Sequence, residues 1–520
     1  PDPLGKSSRV EPAPVRGSMS SGAVVKSAVE AKYTQALAQL LSSSEANASD
    51  QGAAFRGLRE VLGTLESQCE DEDIEETMVK VYLRVCQEGA LSLLIKALTT
   101  HPDSLDVAES GTELLRVLAR APENQHAIWE AGGIKLIVAS MNSHSEHVGV
   151  QRESCGALRN FSMEDGLEDK IMEDGGVKAI VAAMKCHHSE SEVQREACWA
   201  IANLSASVAC REAVAKEGGL EGVIEAIKKH ASVEDVQLEA ANAVNNLAAT
   251  PSNRDQLGTL GAIPAMIEAM AINLESSAVQ ERMTAALLNM VVDHTTNKAK
   301  VVAAGGMAAG LAAMRKHWGE PGVQEQCCRF LRGVFTQSDA NKKAFVDLGG
   351  CGAIAHGMKE NIETENLQIV ACQALASISG PSELKAAIAT SGAVPAVIEA
   401  MKTYPANPKL QEQGCWCLKN LAMEEKLRAG LETAGARAVI VAAQAAHGSH
   451  AGVKQETDEA LLFLDGADQS VLEKISKVTT PSMYPGGAVQ SAPIPGKVDE
   501  FAHNRELAPG GGNSGCCVIA

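Results

Sequence analysis

Apolar residues recur along most of the chain with the spacing of helices. In residues 193–205 (VQREACWAIANLS), four apolar residues share one helical face: Val193, Ala197, Ile201 and Leu204. Trp199 and Asn203 are also four residues apart, but lie about 200° around the helix from that face. The pattern therefore predicts a helix whose apolar stripe packs inward while Trp199 and Asn203 face outward.

This segment is one copy of a repeated unit. A Val-Gln pair or a close variant returns at steps of 43 or 44 residues, beginning at Val150, Val193, Val236, Val279, Val323, Leu367, Leu410 and Val453. Glycines recur at the same steps, at Gly89, Gly132, Gly175, Gly218, Gly261, Gly305, Gly349, Gly392 and Gly435. A period in the low forties with helical patterning predicts a solenoid of stacked helical repeats, about nine in number. Strand-like alternation is absent, which argues against propeller blades of similar length.

Each unit is predicted to contain three helices. Around Trp199 we expect helices over about 167–173, 177–186 and 191–205, with Gly175-Gly176 making the sharp turn between the first two. This three-helix unit with a glycine turn resembles the armadillo repeat more than the two-helix HEAT repeat. The resemblance covers roughly residues 85–465 and implies an all-α fold, the right-handed superhelix of α-helices called an armadillo-repeat solenoid.

An asparagine series makes the resemblance more specific. Nine residues after the Gln of five units lie Asn160, Asn203, Asn246, Asn289 and Asn420. In armadillo proteins of the importin-alpha and beta-catenin kind, such an asparagine on the third helix lines a concave groove, and in importin-alpha a tryptophan stands four residues earlier. This chain is similar at Trp199/Asn203 and at Trp416/Asn420. The resemblance implies that these seven residues bind peptide.

The chemistry supports peptide binding independently. An extended peptide has unpaired backbone donors and acceptors, and a side-chain amide offers both kinds of group. Indole faces beside the amides would hold the aliphatic stems of Lys or Arg, with a cation–π attraction of about 0.5–1 kcal/mol at exposed sites. The alternative interpretation is that each asparagine only bonds to the neighbouring repeat and stabilises the stack.

The series is interrupted. Val117, Gly333, Ser377 and Phe463 stand where other units have the asparagine. Arg329 and Arg332 predict a locally basic middle of the groove, which argues against uniform recognition of cationic peptides along its length.

Composition limits the partners. The formal net charge is −19 and the pI is about 5.2, which argues against nucleic acid and favours basic protein segments. No apolar run reaches 18 residues, so no membrane span is predicted. Several of the 14 cysteines occupy one position of the repeat, four residues after the Gln, which predicts a small buried core site and reduced thiols in a cytosolic setting: Cys155, Cys198, Cys328, Cys372 and Cys415.

The sequence predicts no chemistry of its own. The histidines His101, His144, His187, His230, His317 and His447 are spaced by close to multiples of the repeat, so stacking keeps their rings too far apart to share a metal. We interpret them as loop residues. With no phosphate loop or nucleophile elbow, we expect no enzyme, no cofactor, no metal site and no small-molecule substrate.

Four regions follow from these patterns. Residues 1–22 are predicted to be disordered, 23–84 to form a helical cap or degenerate repeat, 85–467 to hold the armadillo repeats, and 468–520 to be a flexible Pro/Gly-rich tail.

The chain ends in Cys517-Val518-Ile519-Ala520, which matches a prenylation box, with Ala in the last place indicating farnesyl. One lipid chain anchors a protein only marginally, and the neighbouring Cys516 is a candidate for palmitoylation. We therefore expect a cytoplasmic, lipid-anchored, non-catalytic scaffold or adaptor that binds extended partner segments. The alternative is a nuclear-import adaptor like importin-alpha.

Overall fold

The computed structural model describes residues 33–43, 47–68 and 74–468, and the regular elements in these ranges are helices without any strand. The all-α prediction is confirmed. The predicted segment 1–22 lies outside the described ranges, as does the tail beyond residue 468 with its candidate lipidation sites Cys516 and Cys517.

The chain divides into two compact units, Pro1–Ala179 and Ile180–Ala520. In the first unit a helical segment at 33–42 precedes these helices: Ala48–Gln68, Ile74–Gln87, Ala90–Thr100, Leu105–Leu118, Pro122–Glu130, Gly133–Ser143, Val148–Phe161 and Leu167–Glu173. The division falls inside the next helix, Gly176–Cys186.

The second unit continues the three-helix pattern. Its helices are Ser191–Leu204, Val208–Glu217, Gly219–Lys229, Glu234–Leu247, Pro251–Leu260, Ala262–Ile272, Ser277–Val291, Thr295–Ala303, Gly306–Lys316, Pro321–Phe335, Asp339–Asp347, Gly350–Glu360, Glu365–Ile378, Ser382–Thr390, Ala393–Thr403, Pro408–Ala422, Glu425–Ala434, Ala436–His447 and Ala451–Leu464.

We number the repeats 1 to 9 by the glycine that joins the first helix of each to its second. In order, these are Gly89, Gly132, Gly175, Gly218, Gly261, Gly305, Gly349, Gly392 and Gly435, and all nine have positive φ angles between 76° and 103°. At Gly218 (φ 83°) this left-handed conformation ends Val208–Glu217 and starts Gly219–Lys229, which a residue with a side chain would do only under strain. The glycine period therefore marks the sharp corner of each repeat.

Repeat 3 tests the predicted helices directly. The observed bounds Leu167–Glu173, Gly176–Cys186 and Ser191–Leu204 agree with the prediction to within one residue. In the third helix the predicted inward stripe is confirmed, because its four residues are at most 1% exposed: Val193, Ala197, Ile201 and Leu204. Trp199 and Asn203 are half-buried, so this edge of the helix reaches the surface.

Third helices form the most extensive packing within each unit. In the second unit each third helix packs against the third helix of the next repeat, from Ser191–Leu204 through to Ala451–Leu464. We call these seven consecutive helices the third-helix row. In the first unit Ala48–Gln68, Leu105–Leu118 and Val148–Phe161 pack in the same consecutive way.

The helix Ala48–Gln68 therefore takes the place of a third helix ahead of repeat 1. Buried Gln51 near its start donates from Nε2 to the carbonyl of Ser43, at the end of the preceding helical segment, over 3.2 Å. This helix pair lies in the region that the sequence predicts to be a cap or degenerate repeat.

Candidate functional site

The predicted peptide-binding residues all lie on third helices. Trp199, Asn203, Asn246, Asn289, Trp416 and Asn420 belong to the third-helix row, and Asn160 lies on the third helix of repeat 2 in the first unit. Both indoles are half-buried, as are four of the carboxamides, and Asn160 is 5% exposed. The row therefore presents the six residues of the second unit along one series of packed helices, and Asn160 belongs to the first unit.

The amide nitrogens are used inside the stack. Asn246 Nδ2 donates to the carbonyl of Ala202 over 2.8 Å, and Asn289 Nδ2 donates to the carbonyl of Asn245 over 3.1 Å. Asn160 makes the same bond in the first unit, to the carbonyl of Arg116, over 2.7 Å. Each acceptor lies 44 residues earlier, on the preceding third helix. These asparagines therefore tie neighbouring repeats together, as the alternative interpretation predicted.

The carbonyl oxygens of the amides differ from one repeat to the next. Asn160 Oδ1 accepts from the guanidinium of Arg159, and Asn246 Oδ1 accepts from Asn245 Nδ2. Asn289 and Asn420 use only their nitrogens, and within the described residues nothing donates to their Oδ1 atoms. Stacking and binding are thus compatible at these two positions, and peptide binding stays a prediction.

Charged side chains lie near both tryptophans. Glu196, one helical turn before Trp199, is paired with Arg195 over 2.8 Å and is 4% exposed. Near Trp416, Lys419 is held by two carboxylates of the next repeat, Glu456 at 2.7 Å and Glu459 at 2.9 Å. The carboxylates beside both indoles therefore already have cationic partners within the chain.

The middle of the third-helix row is basic, as the sequence predicted. Arg329 pairs with Glu325 on the same helix over 2.6 Å. The guanidinium of Arg332, one turn further on, makes no hydrogen bond or ion pair with any residue in the described part of the chain, and its Nε is buried. Burial, followed by the positive charge of Arg329, lowers the pKa of Arg332.

A buried glutamine series has a role that the sequence analysis missed. The Gln of each Val-Gln pair donates from Nε2 to two carbonyls, ten and seven residues earlier, at the end of the second helix of its own repeat. The distances are 2.8–3.1 Å throughout for Gln151, Gln194, Gln237, Gln280, Gln324, Gln368 and Gln411. We call these residues the clamp glutamines. They satisfy helix-terminal carbonyls that otherwise lack a donor, and their recurrence in the sequence was the available signal.

The histidine series also couples repeats. These residues lie at the ends of the second helices. In four of the six, the ring Nε2 lies 2.7–3.1 Å from a carbonyl of the preceding repeat, as His230 does with His188 and His317 with Leu274; the other two of these four are His144 and His447. Where histidine is absent, a side-chain donor still reaches back: Asn273 to Ala231 and Asn361 to Trp318. The loop interpretation was therefore incomplete, because these positions hold adjacent repeats together. No group of three or more metal-ligating side chains occurs in the described ranges.

The cysteine position four residues after the clamp glutamine is a core site. Cys155, Cys198, Cys328, Cys372 and Cys415 are at most 1% exposed, which confirms the predicted small buried site. They are free thiols, and burial raises the pKa of Cys198, Cys328, Cys372 and Cys415. Because the thiolate is the reactive form, these cysteines are inert packing residues.

Comparison with known proteins agrees with this architecture. A family model described as LRRK2 ARM repeat matches residues 93–385, more than half of the chain. The chain belongs to this armadillo-repeat family. Armadillo solenoids are typically non-catalytic scaffolds, and the fold of this chain suggests a general role in binding proteins. No curated protein sequence matches the chain significantly.

Two solved structures share the armadillo fold of the chain. A crystal structure of an engineered protein superposes with a TM-score of 0.69 at 24% identity, covering 84% of this chain and 99% of that one. A structure from a study of a phosphorylation switch that controls the interaction between cadherin and beta-catenin superposes with a TM-score of 0.59 at 14% identity, covering 82% of this chain and 83% of that one. At these identities the likeness concerns the fold.

None of the helices in the described ranges alone combines the length and apolar character needed to cross a bilayer. One pair bent by 72°, Ser382–Thr390 with Ala393–Thr403, meets the requirement on length and composition only.

Proposed function

We propose that the chain is a non-catalytic armadillo scaffold that binds extended segments of partner proteins along its third-helix row. One observation carries the proposal. Asn289 and Asn420 are fixed by inter-repeat bonds from their nitrogens, yet each keeps an acceptor oxygen that no described residue uses, on a half-buried helix edge. An acceptor held in place without rotational freedom can receive a backbone N–H of a bound segment with little entropic cost.

The tryptophans extend this surface. Trp199 and Trp416 are half-buried at the same position of their repeats, four residues before Asn203 and Asn420. Their rings offer apolar faces to the stems of Lys or Arg side chains, and the net charge of −19 attracts such segments over distance. We infer that the partner carries basic residues where it passes the two indoles.

A double substitution tests the binding surface. Trp199→Ala with Asn203→Ala should abolish capture of partners in affinity purification, because both the stem contact and the amide at that repeat are lost, while far-ultraviolet circular dichroism changes little. Trp318→Ala is a matched control, since its half-buried indole lies in the loop after a second helix, off the third-helix row, and packs on His356. Undiminished capture by the double variant would move the binding surface elsewhere.

We also propose attachment to a cytosolic membrane face through a farnesyl group on Cys517, with Cys516 as a second acylation site. The support is the sequence Cys517-Val518-Ile519-Ala520. Cys517→Ser should move the protein from the membrane fraction to the soluble fraction, and mass spectrometry of the C-terminal peptide of the wild-type chain should find a farnesyl group on Cys517. An unmodified mass with unchanged fractionation would remove the tether.

A nuclear-import adaptor is the second candidate. The Trp-x-x-x-Asn pairs at Trp199/Asn203 and Trp416/Asn420 favour it, because importin-alpha carries that motif. The two functions differ in location: an import adaptor shuttles its bound segment into the nucleus, whereas a tethered scaffold stays at the membrane. Imaging the full chain with and without Cys517→Ser separates them, since only an adaptor concentrates in the nucleus.

A further inference from the structure

Two positions of the repeat form cross-repeat ion pairs. We call the place of the clamp glutamine in each repeat the clamp position; Ala108 occupies it in repeat 1 and Lys454 in repeat 9. A cation eight residues after the clamp position pairs with a glutamate two residues after the clamp position of the next repeat. In the first unit Arg116 bonds Glu153 over 2.6 Å, and in the second unit Lys419 bonds Glu456 over 2.7 Å. Glu153 and Lys419 are strongly buried. The charge pair is therefore a recurring element that the chain supplies from two adjacent third helices.

At repeats 6 and 7 one half of this pair is missing. Arg332 occupies the cation position, eight residues after Gln324, but the residue two after Gln368 is Val370. Val370 is 5% exposed, so a buried apolar side chain stands at the position that Glu153 and Glu456 occupy in the other two repeats. A largely buried guanidinium without a counter-charge is costly for a folded protein.

The asparagine series is interrupted at the residue that follows Arg332. The asparagine position of this repeat is Gly333, so its third helix carries no carboxamide there. Arg329 adds a second positive charge one turn away, and its own carboxylate, Glu325, lies one turn further towards the start of the helix. The arrangement concentrates cationic donors in the middle of the third-helix row, where the amides are interrupted.

We propose that Arg332 binds a carboxylate of the partner, the side chain of an Asp or Glu in the extended segment that lies along the third-helix row. The partner's carboxylate would occupy the place that Glu153 and Glu456 fill in other repeats. This inference rests on the proposed function, since it assumes that a segment follows the row. Guanidinium and carboxylate match in geometry as well as charge, because two parallel N–H···O bonds form between them.

The acidic character of the whole chain does not prevent this contact. At physiological ionic strength charges separated by more than about 8 Å are largely screened, so the immediate neighbours of Arg332 dominate. The register of the third helices places Val370 and Gln373 where Glu456 and Glu459 lie beside Lys419, and Arg329 is one turn away on the same helix as Arg332. A single acidic residue within a mostly basic segment fits both this local site and the long-range attraction of the net charge of −19.

The repeat spacing predicts where that acidic residue lies. Trp416 is two repeats beyond Arg332 on the row, and packed helices lie about 8–10 Å apart, which gives a separation of about 16–20 Å. An extended chain advances about 3.3–3.6 Å per residue. The acidic residue should therefore lie about five or six residues from the basic residue that contacts Trp416.

Peptides selected on the full chain from a random display library are the probes. We expect sequences with one acidic residue about five or six positions from a Lys or Arg. Each is then synthesised with a fluorescent label, together with a copy in which the acidic residue is replaced by Gln or Asn, and affinities are measured by anisotropy. A failure to select any peptide overturns both the proposed function and this inference. Selection of peptides with no acidic preference overturns this inference alone.

Val370→Glu supplies the missing counter-charge from within the chain. It should weaken binding of the acidic peptide by about tenfold or more while leaving its amide copy unchanged, because the internal glutamate competes for the guanidinium. Val370→Gln, of the same size and uncharged, is the matched control and should lack this selectivity. Equal affinities of the acidic peptide for wild type and Val370→Glu would overturn the proposal.

Arg332→Met separates binding from a structural role. If Arg332 binds an external carboxylate, this variant loses the preference for the acidic peptide, and its thermal midpoint without peptide stays equal to that of the wild type or rises. A lowered midpoint with the acidic preference retained would show that Arg332 serves the fold, and would overturn the inference.

Discussion

Two stretches of the third-helix row use the same scaffold for different surfaces. Repeats 3 to 5 carry amides, with Asn203, Asn246 and Asn289 at the surface position, and the latter two bond back to the preceding repeat. Repeats 6 and 7 carry Gly333 and Ser377 there, and Arg329 and Arg332 lie on the third helix of repeat 6. The Ser377 hydroxyl donates to the carbonyl of Gln373 in its own helix, and it bonds to no other repeat within the described residues.

The buried hydrogen bonds of the clamp glutamines are the same in the two stretches. Clamp glutamines make the same pair of bonds in both stretches, as Gln280 does in repeat 5 and Gln324 in repeat 6. The surface position lies nine residues later on the helix, so it can change without disturbing the clamp. The clamp position, which serves the fold, is thus separate from the surface position, to which the proposed function assigns binding.

Removing a paired cation should have the largest effect. Lys419→Met leaves Glu456 and Glu459 without their shared partner in a largely buried site, which should cost about 3–5 kcal/mol in the free energy of unfolding of that region. Amide hydrogen exchange, reporting repeats 8 and 9 separately, measures it. The unpaired Arg332, replaced by the same Met, is the control and should show no such loss. Equal losses at the two positions would mean that Arg332 has an internal partner.

Replacing a clamp glutamine should lower the free energy of unfolding nearly as much, and by the same amount in the two stretches. Gln280→Leu and Gln324→Leu each leave two helix-terminal carbonyls without a donor, and we expect a loss of about 2–3 kcal/mol for each. Local hydrogen exchange is the measurement. Gln326→Leu is the control, because the Gln326 side chain is half-buried and makes no hydrogen bond with described residues. A loss in only one stretch would contradict a uniform interior.

The surface amide should have the smallest effect. Asn289→Ala removes two bonds to Asn245 and should cost about 1 kcal/mol, whereas Ser377→Ala should cost less than about 0.5 kcal/mol because its bond stays within one helix. Urea titration of the two variants, followed by circular dichroism, compares them. If Asn289→Ala unfolds at the wild-type urea concentration, the asparagine contributes little to stacking and is available chiefly for binding.

Much of the fold could be predicted from periodicity. The helix bounds of repeat 3, the glycine turns and the buried cysteine positions all follow from spacing, because burial in a helix is a periodic property. The same rule predicted that Trp199 and Asn203 lie on the helix edge that reaches the surface.

Hydrogen-bond partners could not be predicted in this way. Spacing places Asn246 at an edge of its helix, but only the distance between helices shows that Nδ2 reaches the carbonyl of Ala202. The same holds for His230 and for the clamp glutamines, whose bonds cross between segments. The missing partner of Arg332 becomes visible only when the register of adjacent third helices is known, because Val370 is unremarkable in its own repeat.

The clamp gives each repeat a property of a building block. Its two bonds close within the 43 or 44 residues of one copy, and many of the bonds between copies, such as those of Asn246 and His230, fall on backbone carbonyls, which every copy provides regardless of its side chains. Whole copies can thus be duplicated, deleted or exchanged by recombination without redesigning the junctions. The length of partner segment that such a chain can bind would then grow or shrink in steps of about 10 Å, the distance between packed helices.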